Sequence, residues 1–198
     1  MKLNQRGFSL VELLVIVAIM SILAGVGLQS FGLVQTGRVK DSANTLITQM
    51  QETQKNAKNI YCDYYWQLVI SNEDGKYTVT TFKVNEKTVS GVKVEDPQEY
   101  NSQKLNGKLD VEYTCGDSKI NADIREGYEL VITFEKGSGK VIKVEDNKSD
   151  GTSDTVVYET SMAVDESKEN INIKVKSANS NAKKGIDLYF LTGKIIYE

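Results

Sequence analysis

The sequence contains no histidine, a single proline and only two cysteines in 198 residues. Without histidine it lacks the commonest general base at neutral pH and the commonest transition-metal ligand. It has no glycine-rich nucleotide loop and no cluster of metal-ligating residue types. These absences point away from an enzyme, and no catalytic residue, cofactor or metal site is expected. The lone proline, Pro97, leaves the first sixty residues free of a proline kink. Positive charge is also short: Lys and Arg number 24 against 27 Asp and Glu, for a net charge of −3. An acidic balance argues against broad, non-specific nucleic-acid binding.

What is present is unevenly spread. Between Phe8 and Leu28 only Ser9, Glu12 and Ser21 are clearly hydrophilic. A helix of about 21 residues is roughly 31 Å long, and the hydrocarbon core of a bilayer is ~30 Å thick. Residues 8–28 are therefore expected to span a membrane. Lys2 and Arg6 precede the run, and basic flanks stay cytoplasmic, which sends the C-terminal bulk outside. A removable secretory signal has a shorter apolar core. Glu12 is the anomaly. A carboxylate inside a membrane helix is costly and needs a partner, yet no Lys or Arg lies within the run. A free α-amino group, made by cutting the chain just before the helix, would serve.

The run Arg6-Gly7-Phe8-Ser9-Leu10-Val11-Glu12-Leu13-Leu14, continued by Val15-Ile16-Val17-Ala18-Ile19, closely resembles the processing motif of type IV pilins and type II secretion pseudopilins. The resemblance implies a leader at residues 1–7, a cut between Gly7 and Phe8 by a membrane-embedded prepilin peptidase, and N-methylation of Phe8. It also implies that Glu12 pairs with the Phe8 amine of a neighbouring subunit. Such a pair in lipid would set the register between copies more than it would add stability. Further implied partners are other pilin subunits in a homo- or hetero-polymer, membrane lipid and, indirectly, an assembly ATPase and an inner-membrane platform protein. The implied location is the cytoplasmic membrane, single-pass with the head outside, and then an extracellular or periplasmic filament. A pilus, a competence pilus and a type II secretion-like filament all fit. A second reading is a pilus-displayed binding module, an adhesin or DNA receptor.

Beyond Leu28 the residues Val39, Ala43, Leu46, Ile47, Met50 and Ala57 recur at three- and four-residue steps, one apolar helical face. The pattern predicts a single helix over residues 8–59, its first half embedded and residues 29–59 amphipathic. Gly25, Gly27, Gly32 and Gly37 near its middle lead to two expectations, a bend or local melting on filament packing and close approach of another helix in lipid. Residues 60–198 read as a β-rich head. Strands are expected at 64–70, 77–84, 88–94, 108–113, 128–135, 140–145, 155–159, 171–176 and 186–197, with a polar loop over 146–154. The expected class is α+β, a pilin-like lollipop with a long helix packed on an antiparallel sheet. A pairing of the 128–135 strand with a closing hairpin through Thr192-Gly193 resembles H-type minor pseudopilins.

Outside the cell an even cysteine count favours a bond between Cys62 and Cys115, closing a loop of about fifty residues worth ~4 kcal/mol. Asp146–Gly151 has a calcium-loop outline, but Lys148 stands where an oxygen is needed, so a solvated turn is the expectation. The Ser180-x-x-Lys183 spacing has no companion motif. Lys174, Lys176, Lys183 and Lys184 are read as solvated, edge-protecting lysines ahead of a DNA surface. The aromatic cluster Tyr64, Tyr65 and Trp66 is read as core, with an adhesive patch as the alternative.

Overall fold

The computed structural model describes residues 9–59, 64–89, 92–115, 120–148, 153–159 and 170–197. A single helix, α1 (Leu10–Ala57), carries the N-terminal half of the pattern. Its 48 residues make a rod of about 72 Å. In the single chain the helix is unbroken across all four glycines. A Cβ at Gly25, Gly32 or Gly37 would meet nothing within 4 Å. Those positions face open space in the single chain.

Among the described residues eleven strands follow: β1 (Tyr65–Glu73), β2 (Lys76–Val89), β3 (Val92–Lys104), β4 (Leu109–Cys115), β5 (Ile120–Asp123), β6 (Tyr128–Phe134), β7 (Val141–Lys148), β8 (Ser153–Glu159), β9 (Asn170–Ser177), β10 (Lys183–Tyr189) and β11 (Ile195–Tyr197). They form two antiparallel sheets, in the orders β3-β2-β1-β6-β7-β8 and β11-β10-β9-β4-β5. The α+β arrangement of a long helix against antiparallel β structure is the one expected. The division into two sheets is not.

Three local expectations are corrected. The strand expected at 88–94 is divided: residues 88 and 89 end β2 and residues 92–94 begin β3, with Val89 paired to Val92 in a long β2–β3 hairpin. The Lys87–Asp96 ion pair, 2.5 Å, ties the two strands together. Residues 146–154 are not a loop throughout, because β7 runs to Lys148 and β8 starts at Ser153. The strand at 128–135 and the hairpin around Thr192-Gly193 lie in different sheets, so no β-pairing joins them.

The core lies where the C-terminal half of α1 meets both sheets. Val39, Ala43, Leu46, Met50 and Ala57 are buried against Leu68, Ile70, Val79, Ile132 and Phe134 of one sheet and Val111, Ile171, Ile173, Ile186 and Leu188 of the other. Alternation does the sorting, since successive strand side chains point to opposite faces. Thr53 and Gln54 on the buried helix face find partners. The Thr53 hydroxyl donates to the Gln49 carbonyl at 2.6 Å and lies 2.9 Å from the Thr81 hydroxyl. The Gln54 amide donates to the carbonyls of Gly139 and Gly193 at 3.1 and 2.7 Å. The Gly137 N–H donates to the Ala57 carbonyl at 2.7 Å. The end of the helix is thus stitched to the turn after β6 and the turn after β10.

Candidate functional site

At its N-terminal end the helix begins after Ser9, whose backbone is extended and whose carbonyl accepts the Leu13 N–H at 3.1 Å. Glu12 sits in the first turn, where the positive end of the helix dipole favours a carboxylate. Gly7 and Phe8 lie outside the described residues. Past Glu12 the apolar side chains are largely exposed: Leu13 is 59% exposed, Leu14 62% and Leu23 66%, whereas Val39 on the same helix is 1% exposed. The hydroxyl of Ser21 donates to the Val17 carbonyl at 2.8 Å, so the polar atom in this stretch is satisfied within the helix. Among the described residues no helix is long and apolar enough to cross a membrane.

In the head, the alternation along β1 separates the aromatic cluster. Tyr64 and Trp66 stay together, with ring centroids 5.6 Å apart, and are joined by Tyr100 at 5.0 Å from Trp66. Tyr65 goes to the other face, where burial and then a hydrogen bond to Glu95 push its phenol up. That face is a trough across the six-stranded sheet. A cavity of about 430 Å³ is floored by Val69, Phe82 and Val131 and rimmed by Glu95, Glu129 and Glu145. The register shifts in β2–β3, β6–β7 and β7–β8 all fall in this sheet, and bulges bend strands.

Burial raises the carboxyl of Glu129 in this trough. The folded chain then holds that proton to higher pH than the unfolded chain does. Stability therefore falls as pH rises through the interval that starts at the ordinary glutamate value. Glu129→Gln is expected to raise the urea midpoint at pH 7 and to leave it unchanged at pH 3. An equal shift at both pH values would mean that the charge is not the cause.

The remaining residues singled out in the sequence do not converge. Cys115 is buried, at 3% exposure, at the end of β4, and Cys62 lies outside the described residues. Asp146 is in β7, where its carboxylate accepts the Tyr113 hydroxyl at 2.7 Å and links the two sheets. Burial, then that bond, raises the Tyr113 phenol. Ser180 bonds its own turn, receiving the Ala182 N–H at 3.3 Å. Lys176 pairs with Glu112, and the Lys184 ammonium lies 4.9 Å from the Tyr197 ring. Lys174 and Lys183 remain exposed on β9 and β10. Among the described residues no group of His, Cys, Asp and Glu is placed to hold a metal ion. Sequence reasoning missed Lys83 and Tyr100, which reach the aromatic cluster only through strand register.

Residues 2–28 match the family model for the prokaryotic N-terminal methylation motif. No curated protein and no solved structure matches the chain.

Proposed function

From a chain that carries the prepilin-type N-terminus of the type IV pilin and pseudopilin family, we infer a structural filament subunit that leaves the membrane by polymerising. The motif implies processing by prepilin peptidase and anchoring in the inner membrane before assembly. The cut falls between Gly7 and Phe8, the Phe8 amine is methylated, and residues 8–28 span the bilayer until copies of the helix bundle together.

One observation carries this reading: a helix with one face buried from Val39 onward is bare and apolar before Gly25. Exposed aliphatic surface over about four and a half turns is unfavourable in water by roughly 25 cal/mol per Å². Lipid covers that surface first, and sister helices cover it later. Small residues at Gly25, Gly32 and Gly37, open on the single chain, let such helices approach closely. The folded head stays outside the membrane.

Intact-mass and N-terminal fragment spectra of protein isolated from its native membrane test the processing step. The mature chain is expected to start at a methylated Phe8. A chain beginning at Met1 would remove the reading. Which filament system uses the subunit is decided by where filaments containing it are found.

A further inference from the structure

A small pocket at the junction of helix and head gathers hydrogen-bond donors around a lysine, and among the described residues no carboxylate lines its wall. It has a volume of about 140 Å³ and is lined by Asn56, Asn59, Tyr64, Trp66, Lys83 and Tyr100. Helix, β1, β2 and β3 all contribute. Asn56 comes from the last turn of α1, and Trp66 from the start of β1. Lys83 stands directly opposite Trp66 in the β1–β2 register. Tyr100 is the extra residue of the β3 bulge, since Thr81 pairs with Asn101 and Phe82 with Glu99. Bulges re-aim side chains, and this one brings Tyr100 beside Trp66 and Lys83.

The Lys83 ammonium lies 5.3, 5.7 and 5.0 Å from the ring centroids of Tyr64, Trp66 and Tyr100. Three rings therefore hold one cation, and among the described residues no carboxylate is paired with it. Of the residues lining the same pocket, Trp66 has an indole N–H and Asn56 an amide nitrogen that are buried without a hydrogen-bond partner. Trp66 is only 4% exposed. Buried donors are almost always satisfied, and each exception needs a physical reason. Two such donors in one pocket with an ammonium held only by rings share one reason.

We propose that this pocket binds a carboxylate, presented by a small organic acid or sugar acid. An ionised carboxylate only accepts hydrogen bonds, and it does so at two oxygens. It therefore answers both orphan donors at once, and its charge meets Lys83 in a charge-assisted bond. An amine would face the ammonium and leave both orphan donors unsatisfied. A neutral hydroxyl would supply no charge. The half-exposed ring of Tyr100, at 49%, forms the mouth, where the body of the ligand would rest.

Trp66 is the only tryptophan in the chain, so one indole N–H resonance reports on the site alone. The test uses the full-length chain in detergent, ¹⁵N-labelled and titrated with sodium acetate, sodium glucuronate, glucose or sodium chloride at matched ionic strength. Acetate and glucuronate are expected to shift the indole resonance saturably, and glucose and chloride are not. Equal affinity for the two acids assigns the site to the carboxylate alone, and tighter glucuronate binding assigns it to sugar acids. Lys83→Met is expected to weaken binding by about tenfold or more while the rest of the spectrum stays in place. Asn56→Leu, which removes a donor and leaves Lys83, should weaken it less. The proposal is overturned if neither acid moves the indole resonance saturably, if chloride moves it equally, or if Lys83→Met binds as tightly as the parent. The outcome does not depend on processing, because uncut and mature chains carry the same head.

Discussion

Gly193→Ala is expected to lower the stability of the chain by ~3–5 kcal/mol, from left-handed backbone strain together with buried carbonyls left without donors. Gly193 has φ +61° in the turn that joins β10 to β11. A Cβ there would land on the Gln54 amide and within 3.0 Å of the Gly139 carbonyl. That amide is the group that donates to both turn carbonyls. The methyl thus displaces the single side chain that fastens two turns to the helix end. Gly75, at φ +70° with open space around its missing Cβ, supplies the comparison. Gly75→Ala should cost only the backbone part, about 1–2 kcal/mol. Urea unfolding followed by Trp66 fluorescence reads both, with the slope unchanged between variants. Combining Gly193→Ala with Gln54→Ala should cost clearly less than the two single changes added, because both remove the same bonds. If Gly193→Ala proves no worse than Gly75→Ala, the Gln54 clamp does not fasten the head.

How much of this could be read from residues alone follows from how local each feature is. The N-terminal signal is contiguous, and Gly7, Phe8 and Glu12 stand out without reference to any fold. The buried face of α1 was legible because Val39, Ala43, Leu46 and Met50 repeat with the helix period. Most strands showed through alternation or β-branched residues. Sheet membership did not. β1 pairs with β2 next to it and also with β6, some sixty residues on, and no local pattern encodes that choice. β5 escaped notice because Ile120–Asp123 is short and only half apolar. The β2–β3 tip was misread because Glu86, Lys87 and Thr88 break the apolar alternation at a place where strands project beyond the core. The donor pocket is the least local feature of all. It needs the Trp66–Lys83 register and a one-residue bulge at Tyr100, and neither leaves a mark in composition or spacing.

Glu12→Gln is the change with the largest expected effect on assembly. Within lipid a carboxylate and an ammonium are each expensive, and each relieves the other when two copies meet. Removing one member of such a buried pair costs ~3–5 kcal/mol, because the other charge stays behind uncompensated. At about 1.4 kcal/mol per factor of ten, each subunit contact weakens by about a hundredfold or more. Sheared filaments should therefore contain almost none of the variant. The defect should lie after processing, because the glutamine leaves Gly7 and Phe8 untouched. The variant is expected to accumulate in the membrane fraction with a mature N-terminus at Phe8. Glu12→Asp keeps the charge on a shorter arm and should restore part of the assembly, which a purely steric role for position 12 would not allow. Helix propensity cannot account for the difference either, since glutamine and glutamate are nearly equal helix formers and aspartate is poorer. The order of assembly expected from charge pairing is Glu, then Asp, then Gln. The order expected from helix stability is Glu and Gln together, ahead of Asp. Counting subunits in sheared filaments from the three strains separates the two. Normal filament yield from the Glu12→Gln strain would leave the bare apolar helix as the sole driving force, with register set by the heads.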